Sequence, residues 1–316
     1  MKPHASILLC AILLGACAHT REATAPQVDA PTAAVESAAT AEIRPVATMQ
    51  QAAGLIAALP TDARTLVVFD IDDTLLTTPR IAGREHVFFG SDRWYLWQDA
   101  KPNLSPDKAS GAEVVPCLFD VIAMNYELGL QEATEPQAPA IIAAIPLDRM
   151  VLTSRSADYR EPTERQLAVA GYPVPVFPTL GTVPGGFGYK SEVNGALVTY
   201  ANGILMTKGG NKGKMLKELL ARPELHLAYE NVVLVDDSQD KLENMRDALA
   251  GTGVSFLGLR YEGVKPYPMA PVTAAEKQQA ATAWRAWQQF LQQQYPERWQ
   301  RMDGKDGACK VKAAQQ

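Results

Sequence analysis

What the chain lacks narrows what it can be. It has no basic tract: 30 lysines and arginines face 35 aspartates and glutamates, charged residues make up 21% of 316, and the formal net charge is −5. A partner coated in phosphates calls for clustered positive charge, so nucleic-acid binding is not expected. It also lacks an apolar run of bilayer length, because the N-terminal stretch Ile7 to Leu14 is too short to span one. Cysteine is scarce: four in all, two of them in or just after that stretch. Cys117 and Cys309 are left, to form either a disulfide or one buried and one exposed thiol. Hydrophobic residues, at 47%, suffice for one large core.

The N-terminus has its own pattern. Lys2, the apolar stretch, then Gly15-Ala16-Cys17 describe an export signal over residues 1–16 rather than a membrane span. The LGAC ending resembles the lipobox of bacterial lipoproteins, which implies lipidation at Cys17. Alanine at position 18 resembles the outer-membrane sorting preference, implying a chain anchored in the envelope and facing the periplasm, where a disulfide is permitted. Loss of residues 1–16 removes Lys2 and takes the formal charge from −5 to −6. Residues 17–48, rich in Ala, Thr, Pro, Glu and Val without a period, read as the lipidated cysteine and a flexible tether.

Three short apolar runs each end in polar residues. Val67-Val68-Phe69 stops at Asp70, with Asp72 two residues on; Met150-Val151-Leu152 runs into Thr153, Ser154 and Arg155; Val232 to Val235 runs into Asp236 and Asp237. Each is too short for a helix and too apolar to be half exposed, so each is expected to be a central parallel strand. Ligands of open α/β sheets sit beyond the carboxyl ends of the strands, where these clusters would meet. Helical signals lie between them: Leu167 and Val169 before Gly171, Met215 to Leu220 after Lys212, and Leu242, Met245 and Leu249 before Gly251.

In order and type these residues resemble the four motifs of the haloacid dehalogenase superfamily. Asp70, Asp72 and Thr74 match the first motif and Thr153 the second. The lysine of the third resembles Lys212 in GGNKGKML, with Lys208 and Lys214 as alternatives, and the acidic pair of the fourth resembles Asp236 and Asp237. Asp240 and Asn244 are possible second positions of that fourth motif. FDIDDTLL, SDRWYLWQ, LTSR, YANGIL and NKGKML together are similar to the bacterial subfamily DUF2608. The resemblance implies a doubly wound parallel α/β sheet, a HAD-like Rossmannoid core, with an inserted cap.

About 75 residues separate the first two motifs, more than a βα connection needs, and residues 77–148 are expected to form that cap. Its Arg93, Trp94 and Trp97 would either contact the leaving group or pack a small core. The domain is expected to occupy residues 49–272. Asn202-Gly203 predicts a hairpin within 187–207, standing as a flap by the site. Residues 274–302 predict an amphipathic helix, with Trp284, Trp287 and Leu291 on one face, docked on the core. Residues 303–316 read as a disordered tail.

The resemblance implies a Mg²⁺-dependent phosphomonoester hydrolase acting on a small phosphorylated substrate. Asp70 would be the nucleophile that forms an aspartyl-phosphate, and Asp72 the general acid and base. Mg²⁺ would rest on Asp70, the backbone carbonyl of Asp72 and Asp237, with Asp236 as an alternative ligand. Thr153, Ser154 and Lys212 would bind the phosphoryl group, while Arg155 would either touch substrate or cap the next helix. The alternative is a non-catalytic lipoprotein using the same fold for binding or structure.

Overall fold

The computed structural model describes residues 39–300, apart from 84, 100–105, 174–179, 181–185, 194, 224 and 226–227. The expected signal, Cys17 and the tail 303–316 lie outside the described residues, as do Cys10 and Cys309. In chain order the elements begin β1 (Ala41–Val46), α1 (Met49–Ala57) and β2 (Thr65–Phe69). An insertion follows, holding β3 (Leu76–Thr77), β4 (Arg80–Ile81), β5 (Glu85–His86), α2 (Asp92–Asp99), α3 (Leu118–Leu128), β6 (Glu132–Ala133) and α4 (Ala138–Ala143). Next come β7 (Asp148–Thr153), α5 (Arg160–Val169), β8 (Phe187–Lys190), β9 (Leu197–Ala201), β10 (Ile204–Met206) and α6 (Lys212–Leu220). The chain continues through β11 (Asn231–Asp236), α7 (Gln239–Leu249), β12 (Ser255–Tyr261), α8 (Ala274–Gln294) and α9 (Pro296–Gln300).

The main sheet has strand order β1-β12-β11-β2-β7-β10-β9-β8. Pairing is parallel from β1 through β10 and antiparallel for β9 and β8. This is the expected doubly wound, mostly parallel α/β core, with its three apolar runs adjacent at the centre as β11, β2 and β7. Successive strand residues face opposite ways. Val67, Phe69, Val151, Val233 and Val235 pack with Met49 and Ile56 of α1, Ile142 of α4 and Leu167 of α5. Leu66, Val68, Met150, Leu152, Val232 and Leu234 pack on the other side with Met215, Leu216 and Leu219 of α6 and Leu242, Met245 and Leu249 of α7. Burial of each such side chain contributes roughly 1.5–3 kcal/mol, which is why strands without a polar face settle between two helical layers. Val169, grouped with Leu167 by spacing, is 66% exposed instead.

Register sets up the site. Phe69 pairs with Val151 on one side and Val235 on the other. Asp70, Thr153 and Asp236 therefore emerge at the same edge of the sheet.

Three expectations need correction. The domain starts before residue 49, because Ala41–Val46 is an edge strand pairing with β12. Pro45 and exposed charges make it look like tether, yet an edge strand tolerates both, since only one side of it is paired. The segment 187–207 is not a free flap. Asn202 and Gly203, at φ 51° and 75°, do make the two-residue hairpin turn between β9 and β10. However, the fully buried β10 pairs with β7 and extends the main sheet. Finally, the C-terminal helix docks on the insertion. Trp284 and Leu291 are buried with Phe88, Phe89, Trp94, Trp97 and Val121 in one cluster, and Trp287 packs against it. The helix is also interrupted at Tyr295, before Pro296.

Within the insertion α3 begins at Leu118, and Cys117, the residue before it, is disulfide-bonded.

Candidate active site

At the end of β2 the backbone N–H of Asp70 still donates to the Val235 carbonyl at 3.0 Å. The chain then turns back: the amides of Leu75 and Leu76 both donate to the Ile71 carbonyl at 2.9 Å. Asp73 accommodates the reversal with a left-handed φ of 55°, a conformation aspartate tolerates better than most residues. Thr74, fully buried, accepts the Asp237 amide at its Oγ1, 3.1 Å away. The DIDDT loop is thereby fastened to the end of β11.

Of the three candidate lysines, Lys212 is the one that reaches the acids. Its Nζ lies 2.5 Å from Asp70 Oδ1 and 2.6 Å from Asp236 Oδ2. Asn211 caps α6 through its Oδ1, which accepts from the Lys214 amide at 3.0 Å, so Lys212 opens the helix. Gly213 lets the helix come close: a Cβ there would stand 2.3 Å from the Asn244 carbonyl oxygen and 2.6 Å from Ala248 Cβ on α7. Lys208 lines the cavity and Lys214 is exposed.

Burial raises the Asp70 pKa to about 7, with Asp236 and Asp72 adding to the rise and Lys212 opposing it. For Lys212, burial alone would lower the value, but Asp236 and Asp70 outweigh it and hold the ammonium above the usual lysine range. Each partner thus answers to the other's charge as well as to burial.

Asp72 is held by Arg155. Nη2 lies 2.6 Å from Asp72 Oδ1 and Nε 3.1 Å from Oδ2. The other end of the guanidinium donates to Thr163 Oγ1 at 3.0 Å and Gln166 Oε1 at 2.9 Å, and the Tyr126 ring lies 4.1 Å away. Arg155 therefore neither caps a helix nor projects freely; it fixes the direction of Asp72.

These groups line a cavity of about 430 Å³. Asp70, Asp72, Ser154, Arg155, Lys212 and Asp237 are in its wall, whereas Thr153 and Asp236, both fully buried, lie behind it. Thr153 Oγ1 accepts the Arg155 amide at 3.1 Å. Ser154 Oγ and Ser238 Oγ are buried without a hydrogen-bond partner among the described residues. The insertion contributes Tyr95, Leu96, Phe119, Ile122 and Tyr126 to the cavity's apolar wall, and Tyr267 and Met269 add to it from the loop after β12. Arg93, Trp94 and Trp97 do not line it. Arg93 pairs with Glu276 at 3.0 Å, and the two tryptophans, each 1% exposed, fill the insertion's own core.

Asp70, Asp236 and Asp237 each offer an oxygen within 4.8 Å of the other two. Hard carboxylate donors suit Mg²⁺. Asp236 is already engaged at both oxygens, by Lys212 and by the Ser238 amide at 2.9 Å, so Asp70 and Asp237 are the freer ligands.

Sequence reasoning missed Asp73, Asp92 and Lys265. Lys265 Nζ lies 2.6 Å from Asp237 Oδ2 and 3.5 Å from Asp73 Oδ2, and it pairs with Asp92 Oδ2. Asp73 was visible as a third acid in DIDDT, but nothing periodic marks Lys265 or Asp92.

Comparison with curated proteins finds no match. Among solved structures the chain is similar to the class C acid phosphatase from Bacillus anthracis, at 14% identity and a TM-score of 0.33, over 74% of this chain and 84% of that one. The family model described as a protein of unknown function, DUF2608, matches residues 42–297. With most of its length matched, strand β1 through helix α9, the chain belongs to the DUF2608 family.

Proposed function

We propose that the chain is a Mg²⁺-dependent phosphomonoester hydrolase that works through an aspartyl-phosphate on Asp70. The observation that carries this reading is Lys212, buried in the cavity wall and bonded at once to Asp70 and Asp236. A lysine so placed neutralises charge on the attacking carboxylate and on an arriving phosphoryl group. When bound by Asp70, Asp237 and the backbone of Asp72, the metal ion would offset the repulsion between carboxylate and phosphate.

Asp70 attacks phosphorus as the bond to the leaving oxygen breaks. The hydroxyls of Ser154 and Ser238, which lack partners in the cavity wall, supply donors for phosphoryl oxygens, and Thr153 supports them from behind. Asp72 gives the leaving oxygen its proton and later takes one from the water that releases phosphate and restores Asp70. A carboxylate in a two-pronged ion pair only accepts hydrogen bonds. Proton donation by Asp72 therefore requires Arg155 to loosen its hold as the substrate's negative charge draws the guanidinium, so that the carboxylate takes up a proton from solvent before it gives one. The substrate is a small phosphomonoester met at the periplasmic face of the outer membrane, where lipidation at Cys17 would hold the chain.

The purified full chain is expected to hydrolyse an aryl phosphate with Mg²⁺ and to stop when a chelator is added. Turnover no higher than that of Asp70→Asn, across a panel of phosphomonoesters, would overturn the enzyme reading in favour of a binding scaffold.

A further inference from the structure

Two acid groups share Asp237. One is the Asp70, Asp236 and Asp237 set; the other joins Asp237 to Asp73 and Asp92, again with one oxygen from each within 4.8 Å of the others. A carboxylate common to two such groups is the layout of hydrolases that hold two metal ions side by side. Here the second group already contains a cation. The ammonium of Lys265, whose side chain is 10% exposed, contacts all three carboxylates. It arrives from the loop after β12, while Asp73 comes from the turn after β2, Asp92 from the first turn of α2 and Asp237 from the end of β11.

We propose that Lys265 is a built-in cation standing where a second divalent ion would otherwise bind, between Asp73, Asp92 and Asp237, so that the acid cluster takes one exchangeable ion and not two. The first ion, at Asp70 and Asp237, belongs to the function proposed above, and the inference rests on that reading only for its count of one. The charge balance supports it. Six carboxylates, Asp70, Asp72, Asp73, Asp92, Asp236 and Asp237, are met by three fixed cations, Lys212, Arg155 and Lys265. Without Lys265 the Asp73 and Asp92 side lacks any of the three, and buried like charges demand a counterion. Unlike a metal ion, Lys265 cannot be removed by a chelator. It also ties α2 of the insertion to the ends of β2 and β11, so Asp237 keeps its aim with or without metal.

The test is the stoichiometry of Mn²⁺ binding to the full chain, read by electron paramagnetic resonance of free Mn²⁺ and by calorimetry. Wild type is expected to bind one ion and Lys265→Met two. Lys265→Arg, which keeps the charge, should stay at one, and Lys265→Met with Asp92→Asn should return to one. Asp92→Asn alone, which leaves Lys265 in place, should not change the wild-type count and remains informative if Lys265→Met does not fold. Two ions in wild type, no extra ion in folded Lys265→Met, or loss of an ion in Asp92→Asn would each overturn the proposal. No ion in wild type, with one gained in Lys265→Met, would refute the metal in the proposed function while supporting Lys265 as the resident cation.

Discussion

Replacing Lys212 with methionine should sharply destabilise the metal-free protein near neutral pH, and the deficit should shrink as the pH falls. The Lys212 side chain is 1% exposed and bonds Asp70 and Asp236 at 2.5 and 2.6 Å. Methionine fills a similar volume but leaves both carboxylates buried without a countercharge. Removing one partner of a buried pair costs about 3–5 kcal/mol, and with two carboxylates stranded the upper part of that range applies. With a urea slope of about 3 kcal/mol per molar, a loss of about 4–5 kcal/mol should lower the unfolding midpoint by roughly 1.3–1.7 M. The pH dependence follows from Asp70. Burial already raises its pKa to about 7, with Lys212 opposing the rise, so the variant's carboxyl must keep its proton to still higher pH. A carboxyl whose folded pKa is raised contributes stability in full below its unfolded value of about 4 and loses it as pH climbs through the folded one. The gap between variant and wild type should therefore be widest above about pH 7 and narrow towards about pH 5. Urea titrations in chelator at several pH values measure this, and adding Asp236→Asn to the variant should recover part of the loss. Coincident midpoints near pH 8, or a gap that widens in acid, would refute the reasoning.

Gly213→Ala should cost about 1–3 kcal/mol, because its methyl group overpacks the α6–α7 contact, whereas Gly54→Ala, with nothing within 4 Å of the added carbon, should gain about 0.4–1 kcal/mol; thermal unfolding distinguishes them. Asp72→Asn should slow turnover by roughly 10²–10⁴, most for alkyl phosphates, whose leaving groups need the proton, and equal losses for alkyl and nitrophenyl phosphates would exclude Asp72 as the acid. Wild type should fractionate with membranes and resist high salt, while Cys17→Ala should remain unprocessed at this site and unlipidated. Mass spectrometry showing an unmodified Cys17 in the mature chain would refute the anchor.

The central strands were legible because burial on both faces leaves an unbroken apolar run, and the order of the polar clusters after them located the sheet edge. The turn at Asn202-Gly203 was equally legible, since its backbone conformation restricts the residue types. What stayed hidden depends on partners distant in sequence. β1 carries Pro45 and exposed charges and is a strand only because β12 offers it one open edge. Trp94 and Trp97 have the spacing of a ligand-contacting face as much as of a packing one, and only α8 decides between them. Arg155 could not be assigned from sequence because its partners come from two separate segments, Asp72 from the turn after β2 and Thr163 and Gln166 from α5. Lys265 sits in a loop without a period, so its meeting with three acids is a property of the fold alone.

The shared core of the insertion and α8 also governs how the chain can fold. Gln279 accepts the amides of Phe88 and Phe89 across separations of 191 and 190 residues, so the aromatic cluster cannot close until nearly the whole polypeptide is present. Contacts this remote form late and slowly. A nascent chain would therefore expose Phe88, Phe89, Trp94 and Trp97 for the time it takes to deliver the last few dozen residues. A chain cut short ahead of Ala274 would expose them permanently, which makes α8 a condition of solubility and gives chaperones and proteases a signal for discarding copies that lack it.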